Sequence, residues 1–469
     1  MIDGLLLASG LLLTLWTAGH ALLNKQSAAA AWGWIVTCLL LPFVGPALYA
    51  LFGINRVLTR ARRQQPATPR GSPPTDAASL AARDTLPASL GELLRSGDVI
   101  TGLPLVGGNR FEALHDGEVA YPRMLAAIDA AEHSVALMSY IFDRDAAGEL
   151  FIDALTRATA RGVAVRVLVD GVGEFARHRA GTELLARGVP VARYNPLRLW
   201  PPFLHINLRN HRKLLLVDGR IAYTGGMNIS ACHYARDPDK PGATSDLHFE
   251  LRGPVLAQLQ QVFADDWAYA AGEAGCLPAV ATGSDDGSAL CRVITDGPNE
   301  DYGRLGLMLL AAIAAAQSRI QIVTPYFMPP DELLSALLSA ALRGVTVDLV
   351  LSRDSDHRVT WHAMHKLMPQ LLVRGVRVHL QPPPFCHTKL FVIDRQYLQL
   401  GSANLDMRSL RLNFEMMVET YDPGFAEAMA RHADTLIERA TTLHLDALRR
   451  RPLLLRLRDA VCWLASPYL

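Results

Sequence analysis

The feature that most constrains this chain is that it repeats itself. Residues 125–142, LAAIDAAEHSVALMSYIF, run parallel to residues 310–327, LAAIAAAQSRIQIVTPYF. TRATARGVAVRVLVD (156–170) parallels LSAALRGVTVDLVLS (338–352), and LARGVPVARYNP (185–196) parallels LVRGVRVHLQPP (372–383). The offsets are 185, 182 and 187 residues, in one order, which argues for two homologous halves. Each unit reads as an Ala/Leu-rich helix, an Arg-Gly stop and an alternating Val strand. Such alternation predicts α/β layers around a mostly parallel or mixed buried sheet. Two such halves are expected to face each other across a pseudo-twofold axis, with a site at their junction.

The repeat carries chemistry in HRKLLLVDGRIAYTGGMN (211–228) and HTKLFVIDRQYLQLGSAN (387–404). His211, Lys213, Asp218, Gly225 and Asn228 recur as His387, Lys389, Asp394, Gly401 and Asn404, at an offset of 176. A His and a Lys two apart on an extended segment project from one face. An imidazole beside an ammonium on the rim of a core strand suits anion binding and nucleophilic attack. The Asn amides can donate to a phosphate oxygen. One HxK is noise, whereas five spaced positions repeated inside a duplication are not. A nucleophilic His also needs an acid on its other nitrogen. Laying NFEMMVETYDP (413–423) on TSDLHFELRGP (244–254) aligns Glu415 with Asp246 and Glu419 with Glu250. Asp246 and Glu415 are the expected orienting acids, with Glu250 and Glu419 as the fallback.

The N-terminus points to lipid. Residues 4–24 hold no Asp, Glu, Lys or Arg and are long enough to cross ~30 Å of hydrocarbon. A second uncharged run, Gln26 to Asn55, carries Trp32, Trp34 and Tyr49 but also Pro42, Gly45 and Pro46, which leaves a re-entrant or surface-lying segment open. Arg56, Arg60, Arg62, Arg63 and Arg70 follow, so the remainder is expected in the cytoplasm. Residues 64–78 read as a linker. Forty-six Lys and Arg against 45 Asp and Glu disfavour a polyanion-gripping protein, hence no nucleic acid. Six scattered cysteines suggest neither a disulfide framework nor zinc.

The doubled pattern resembles the HxK(x)4D(x)6GSxN motif of the phospholipase D superfamily over residues 110–440. The second copy matches throughout, and the first has Gly226 in place of Ser. GSANLDMRSLRLNFE (401–415), FADDW (263–267) and AWGWIVTCLLLPFVGPALYALFG (31–53) extend the likeness to the bacterial cardiolipin synthases. The resemblance implies two phospholipase D-like α/β halves, mixed sheets flanked by helices, after a two-helix membrane hairpin. The boundaries expected are 1–58 for the hairpin, 59–97 for the linker, 98–275 and 276–442 for the halves, and 443–469 for a basic amphipathic tail.

It further implies a multi-pass enzyme of the bacterial inner membrane that joins two phosphatidylglycerols into cardiolipin and glycerol. His211 is the expected nucleophile and His387 the acid/base, with Lys213, Lys389, Asn228 and Asn404 on the phosphate. Asp218 and Asp394 are grouped with the catalytic set as supports. No cofactor or metal is implied, and no protein partner is named. A membrane-anchored phospholipase D that hydrolyses or exchanges head groups is the alternative; a nuclease and a vestigial scaffold are further rivals. His357, His362 and His365, with Asp354 and Asp356, read as a loop and first helical turn rather than a metal site. WPPFLHIN (200–207) is a candidate lipid entrance. The Arg- and Leu-rich tail is open between lying on a membrane and packing on the second half.

Overall fold

The computed structural model describes residues 2–25, 28–53, 86–174, 179–196, 208–237, 241–273, 277, 287–298 and 303–466. The expected linker at 64–78, the five arginines after the second hydrophobic run and WPPFLHIN all lie outside the described residues. The chain divides into two compact units, residues 1–64 and 65–469.

In the first unit, helices Ile2–Asn24 and Ala28–Leu40 pack together. The second stops short of Pro42, because proline has no N–H for the helical ladder. A short helix, Val44–Leu48, and a π turn, Tyr49–Gly53, follow. Thr14 Oγ1 donates to the Cys38 carbonyl at 3.1 Å, and His20 Nδ1 meets the Tyr49 hydroxyl at 2.8 Å. The expectation of two spanning helices is corrected here. Thirteen residues of the second helix rise only about 20 Å. Among the described residues no helix is long and apolar enough to cross a membrane.

The second unit is built on one mixed sheet, fifteen-stranded among the described residues. The first half supplies β1 (Val106–His115), β2 (Ser134–Ser139), β3 (Ala164–Asp170), β4 (Val191–Tyr194), β5 (Leu214–Val217), β6 (Ile221–Gly225) and β7 (Leu247–Arg252). The second supplies β8 (Ala289–Asp296), β9 (Arg319–Val323), β10 (Thr346–Ser352), β11 (Arg377–Gln381), β12 (Leu390–Ile393), β13 (Tyr397–Gly401) and β14 (Glu415–Thr420), and β15 (Thr441–Thr442) caps its edge. From the middle outward the first half runs β1-β7-β6-β5-β2-β3-β4 and the second β8-β14-β13-β12-β9-β10-β11. This is the same order twice, joined where β1 pairs antiparallel with β8. Only β2-β3-β4 and their counterparts β9-β10-β11 run parallel, each joined by the helix crossovers that the repeat spells out. The expected pair of sheets is therefore a single continuous one.

One expected boundary is crossed by an element. Helix Ala88–Thr101 straddles the expected linker end, and its Leu90, Leu93 and Leu94 join Ile294 and Met308 in the core of the second half. Apolar positions at helical spacing there outweigh the loop-like residues before them. The tail forms helices Leu445–Arg449 and Leu453–Trp463, and the latter packs on helix Arg358–Val373. That decides for packing on the second half on one face of the tail.

Candidate active site

Both motifs enter the core through a short strand. LLLV of β5 and LFVI of β12 are buried at every position, so His211 and His387 sit just outside the sheet at the strand's start. Each is anchored on the opposite half. The His211 N–H donates to the Phe414 carbonyl at 2.9 Å, and the His387 N–H to the Ser245 carbonyl at 2.8 Å. The next residue along each of those partner segments is Glu415 and Asp246. His211 Nδ1 consequently meets Glu415 at 3.0 Å, and His387 Nδ1 meets Asp246 Oδ2 at 2.9 Å. Each imidazole takes its acid from the other half of the molecule. These are the two acids that the alignment of the repeats put forward.

The fallback pair stands elsewhere. Glu419 is buried against Arg292 and accepts from the Tyr397 hydroxyl at 2.7 Å, while Glu250 pairs with Arg123 and Arg252.

The ammonium groups close the site from either side. Lys213 Nζ donates to its own His211 carbonyl at 2.6 Å and stands 5.4 Å from the Tyr140 ring centre; Lys389 Nζ donates to the His387 carbonyl at 2.5 Å. Burial lowers Lys213 to about 7 and Lys389 to about 8. Burial also lowers His211 to about 4 against the pull of Glu415. It holds His387 well below the usual imidazole range, helped by Lys389, Lys213 and His211. Glu415 stays below its ordinary value, because His211, Lys213 and Ser402 together outweigh its burial. The charges of one motif thus bear on the groups of the other, and burial favours neutral rings.

The asparagines border it. Asn228 Oδ1 accepts from the Ile141 N–H at 3.2 Å, and its own N–H donates to His233 Nε2 at 3.3 Å. Asn404 is buried, its N–H donates to Ser409 Oγ at 3.2 Å, and its Oδ1 has no partner among the described residues.

Asp218 and Asp394 stand apart from the two imidazoles and act on the backbone. Each lies at the far end of its strand with positive φ, +53° and +51°. Asp218 accepts from the N–H groups of Glu132, His133 and Ser134, and Asp394 from those of Gln317, Ser318 and Arg319. They close the turn that precedes β2 and β9, and so fix strand register. The histidines at 357, 362 and 365 also diverge. His357 is exposed, His362 faces Asp459 at 3.7 Å, and His365 Nδ1 meets the Trp361 carbonyl. Among the described residues no group of three or more His, Cys, Asp or Glu is placed to hold a metal.

Sequence reasoning missed the anchors of the first motif. Arg212 Nη1 donates to both carboxylate oxygens of Asp266 at 2.8–2.9 Å, and its Nε donates to the Glu415 carbonyl at 3.1 Å. Asp170 accepts from the Asn210 N–H at 2.9 Å and pairs with buried Arg209. The signal was present as the acid in FADDW and the Arg inside HRK, but their meeting depends on the fold.

A family model described as "Cardiolipin synthase, PLD-like domain" matches residues 124–267 and 309–437. This chain belongs to that family. A model of a phospholipase D-nuclease N-terminal segment matches residues 12–53 of this family member. Cardiolipin synthase A from Pseudomonas aeruginosa is 34% identical over 435 residues, covering 90% of this chain and 87% of the relative. The Pseudomonas entomophila protein of the same name is 31% identical, covering 98% and 96%. The phosphatidylserine synthase of Haemophilus influenzae shares the fold, with a TM-score of 0.59 at 16% identity over 80% of this chain and all of that one.

Proposed function

We infer that this chain condenses two phosphatidylglycerol molecules into cardiolipin and glycerol. The observation that carries the reading is the crossed pairing, His211 with Glu415 and His387 with Asp246, in a chain of this family. With Nδ1 held by an acid, Nε2 of each ring is the working nitrogen. His211 attacks phosphorus of the first lipid, and the bond to the terminal glycerol oxygen breaks. His387 protonates that oxygen and glycerol leaves. His387 then takes the proton of the second lipid's primary hydroxyl, which attacks phosphorus and releases His211. One phosphodiester is exchanged for another, so no energy source is consumed. The anionic phosphate, arriving between two lysines, favours the protonated form of His387 that the first step needs. Lys213, Lys389, Asn228 and Asn404 hold the phosphate oxygens.

The His211 and His387 side chains are only 12% and 13% exposed, and a dry mouth favours alcohol over water as acceptor. Attachment to the membrane through the first unit is part of this reading, supported by an uncharged run over residues 4–24 within a 23-residue helix and by the apolar Ala28–Leu40 helix beside it. In this reading the enzyme works at the bacterial inner membrane, with residues 98–442 as two catalytic halves on the cytoplasmic side. Purified protein given labelled phosphatidylglycerol is expected to yield cardiolipin and glycerol in equal amounts, and a covalent phosphatidyl adduct that is absent in His211→Asn. Phosphatidic acid as the sole product, or nucleotide release from DNA, overturns the assignment.

A further inference from the structure

The C-terminal helix Leu453–Trp463 shows two unlike faces. One is fixed to the fold: Asp459 is buried, pairs with Arg451 at 2.7 Å and Arg458 at 3.1 Å, and faces His362 at 3.7 Å. Cys462, three residues on, is packed against the core of the second half. The other face is apolar and exposed. Leu454 is 78% exposed, Leu464 71%, Leu453 67% and Val461 65%, and Leu457 lies between them at 52%. Positions 454, 457, 461 and 464 are spaced to fall on one side of a helix. Contiguous apolar exposure of this kind marks a contact surface rather than scattered surface leucines.

Beside this face runs a groove of about 560 Å³ between the tail and helix Arg358–Val373. Its apolar walls include Leu457, Ala460 and Trp463, and its charged groups include Lys366, Arg451 and Arg456. Asp459, the acid of that wall, already holds Arg451 and Arg458. Lys366 and Arg456 are exposed, and Arg449 and Arg450 extend the cationic rim. Apolar walls with a basic rim match one chemistry: a hydrocarbon chain ending in a negative head group. A zwitterionic lipid or a neutral apolar peptide leaves the rim unmatched.

We propose that the groove between helices Arg358–Val373 and Leu453–Trp463 seats an anionic phospholipid of the bilayer, its phosphate at Lys366 and Arg456 and its chain along Leu457 and Trp463. The exposed leucines then enter the outer part of the same leaflet. The site is separate from the two histidine motifs and binds without turnover, so its test does not rest on the reaction assigned above.

The full chain is reconstituted in nanodiscs of phosphatidylcholine containing a minor share of phosphatidylglycerol with brominated chains. The emission belonging to Trp463 is taken as wild type minus Trp463→Phe. At least half of it is expected to be quenched. Brominated phosphatidylcholine at the same mole fraction should quench it threefold less or weaker still. Lys366→Gln combined with Arg456→Gln, both on exposed side chains, is expected to remove that preference while a thermal melt stays unchanged. Quenching that is absent with either lipid, or equal for both, overturns the proposal. So does a preference that survives the double substitution. Cardiolipin formation is read in the same discs, and its absence alone would count against the catalytic reading and leave the lipid seat standing.

Discussion

The two halves hold the same motif by different means. In the first, the strand entrance is tied by buried charge: Arg212 to Asp266, and Arg209 with the Asn210 N–H to Asp170. In the second, the corresponding entrance is tied by a neutral hydroxyl, where Ser352 Oγ accepts from the Cys386 N–H at 2.8 Å. The acids differ as well. Glu415 accepts from Ser402 Oγ at 2.6 Å, whereas Asp246 lies against Gly226, where an added Cβ would come within 2.5 Å of its carboxylate. A pseudo-symmetric site is therefore built from unlike supports, and duplication preserved the reacting groups more tightly than the scaffold beneath them.

The largest effect should come from the crossed acids. Asp246→Asn and Glu415→Gln keep shape and remove the acceptor charge. Each is expected to cut turnover by about 10³–10⁴, the scale for an acid that fixes a catalytic imidazole. Steady-state cardiolipin formation checks this. If the assigned order of roles holds, Glu415→Gln suppresses the labelled adduct on His211, and Asp246→Asn slows its breakdown as well as its formation. Full activity in either variant would break the claim that both halves serve one phosphorus.

Much of this was legible beforehand, for a physical reason. The repeat, the α/β alternation and the HxK spacing are local patterns, and local patterns survive in a string. Asp246 and Glu415 could be put forward because residues 244–254 and 413–423 align on a shared proline. That each acid serves the opposite half was not legible, since it follows from backbone pairing between the halves, Asn210 with Phe414 and Phe385–Cys386 with Thr244–Ser245. Which turns Asp218 and Asp394 support was not legible, because sequence spacing does not show where a strand ends: five residues of extended chain carry them away from Lys213 and Lys389. In the second hydrophobic segment Pro42 was legible as a breaker, and the helix ends just before it at Leu40.

Stability should separate the halves next. Asp266→Asn leaves buried Arg212 without its counter-charge, and is expected to cost about 3–5 kcal/mol, the range for breaking a buried ion pair. Ser352→Ala removes a neutral hydrogen bond and should cost about 1 kcal/mol. Thermal and denaturant unfolding of the full chain compare them. Equal losses would show that the ionic anchoring of the first motif is no firmer than the hydroxyl anchoring of the second.

The smallest expected effect tests the departure of the first motif from the family pattern. Ser402→Gly makes the second motif read like the first at that position. It deletes the hydroxyl that donates to Glu415 and that also accepts from the Met416 N–H at 3.0 Å. Glu415 keeps His211 and the Asn413 amide at 3.5 Å, so its carboxylate stays seated and loses one of several donors. One neutral donor is worth about 1 kcal/mol, which corresponds to a fall of about fivefold in turnover. With that donor gone the Glu415 carboxylate pulls harder on the His211 proton, so the protonation midpoint of His211 should move upward. A pH profile of turnover reads that shift independently of the rate. A loss as large as that of Glu415→Gln would mean that the hydroxyl, rather than the carboxylate, orients His211, and the first motif would then need another group to do for His387 what Gly226 lacks.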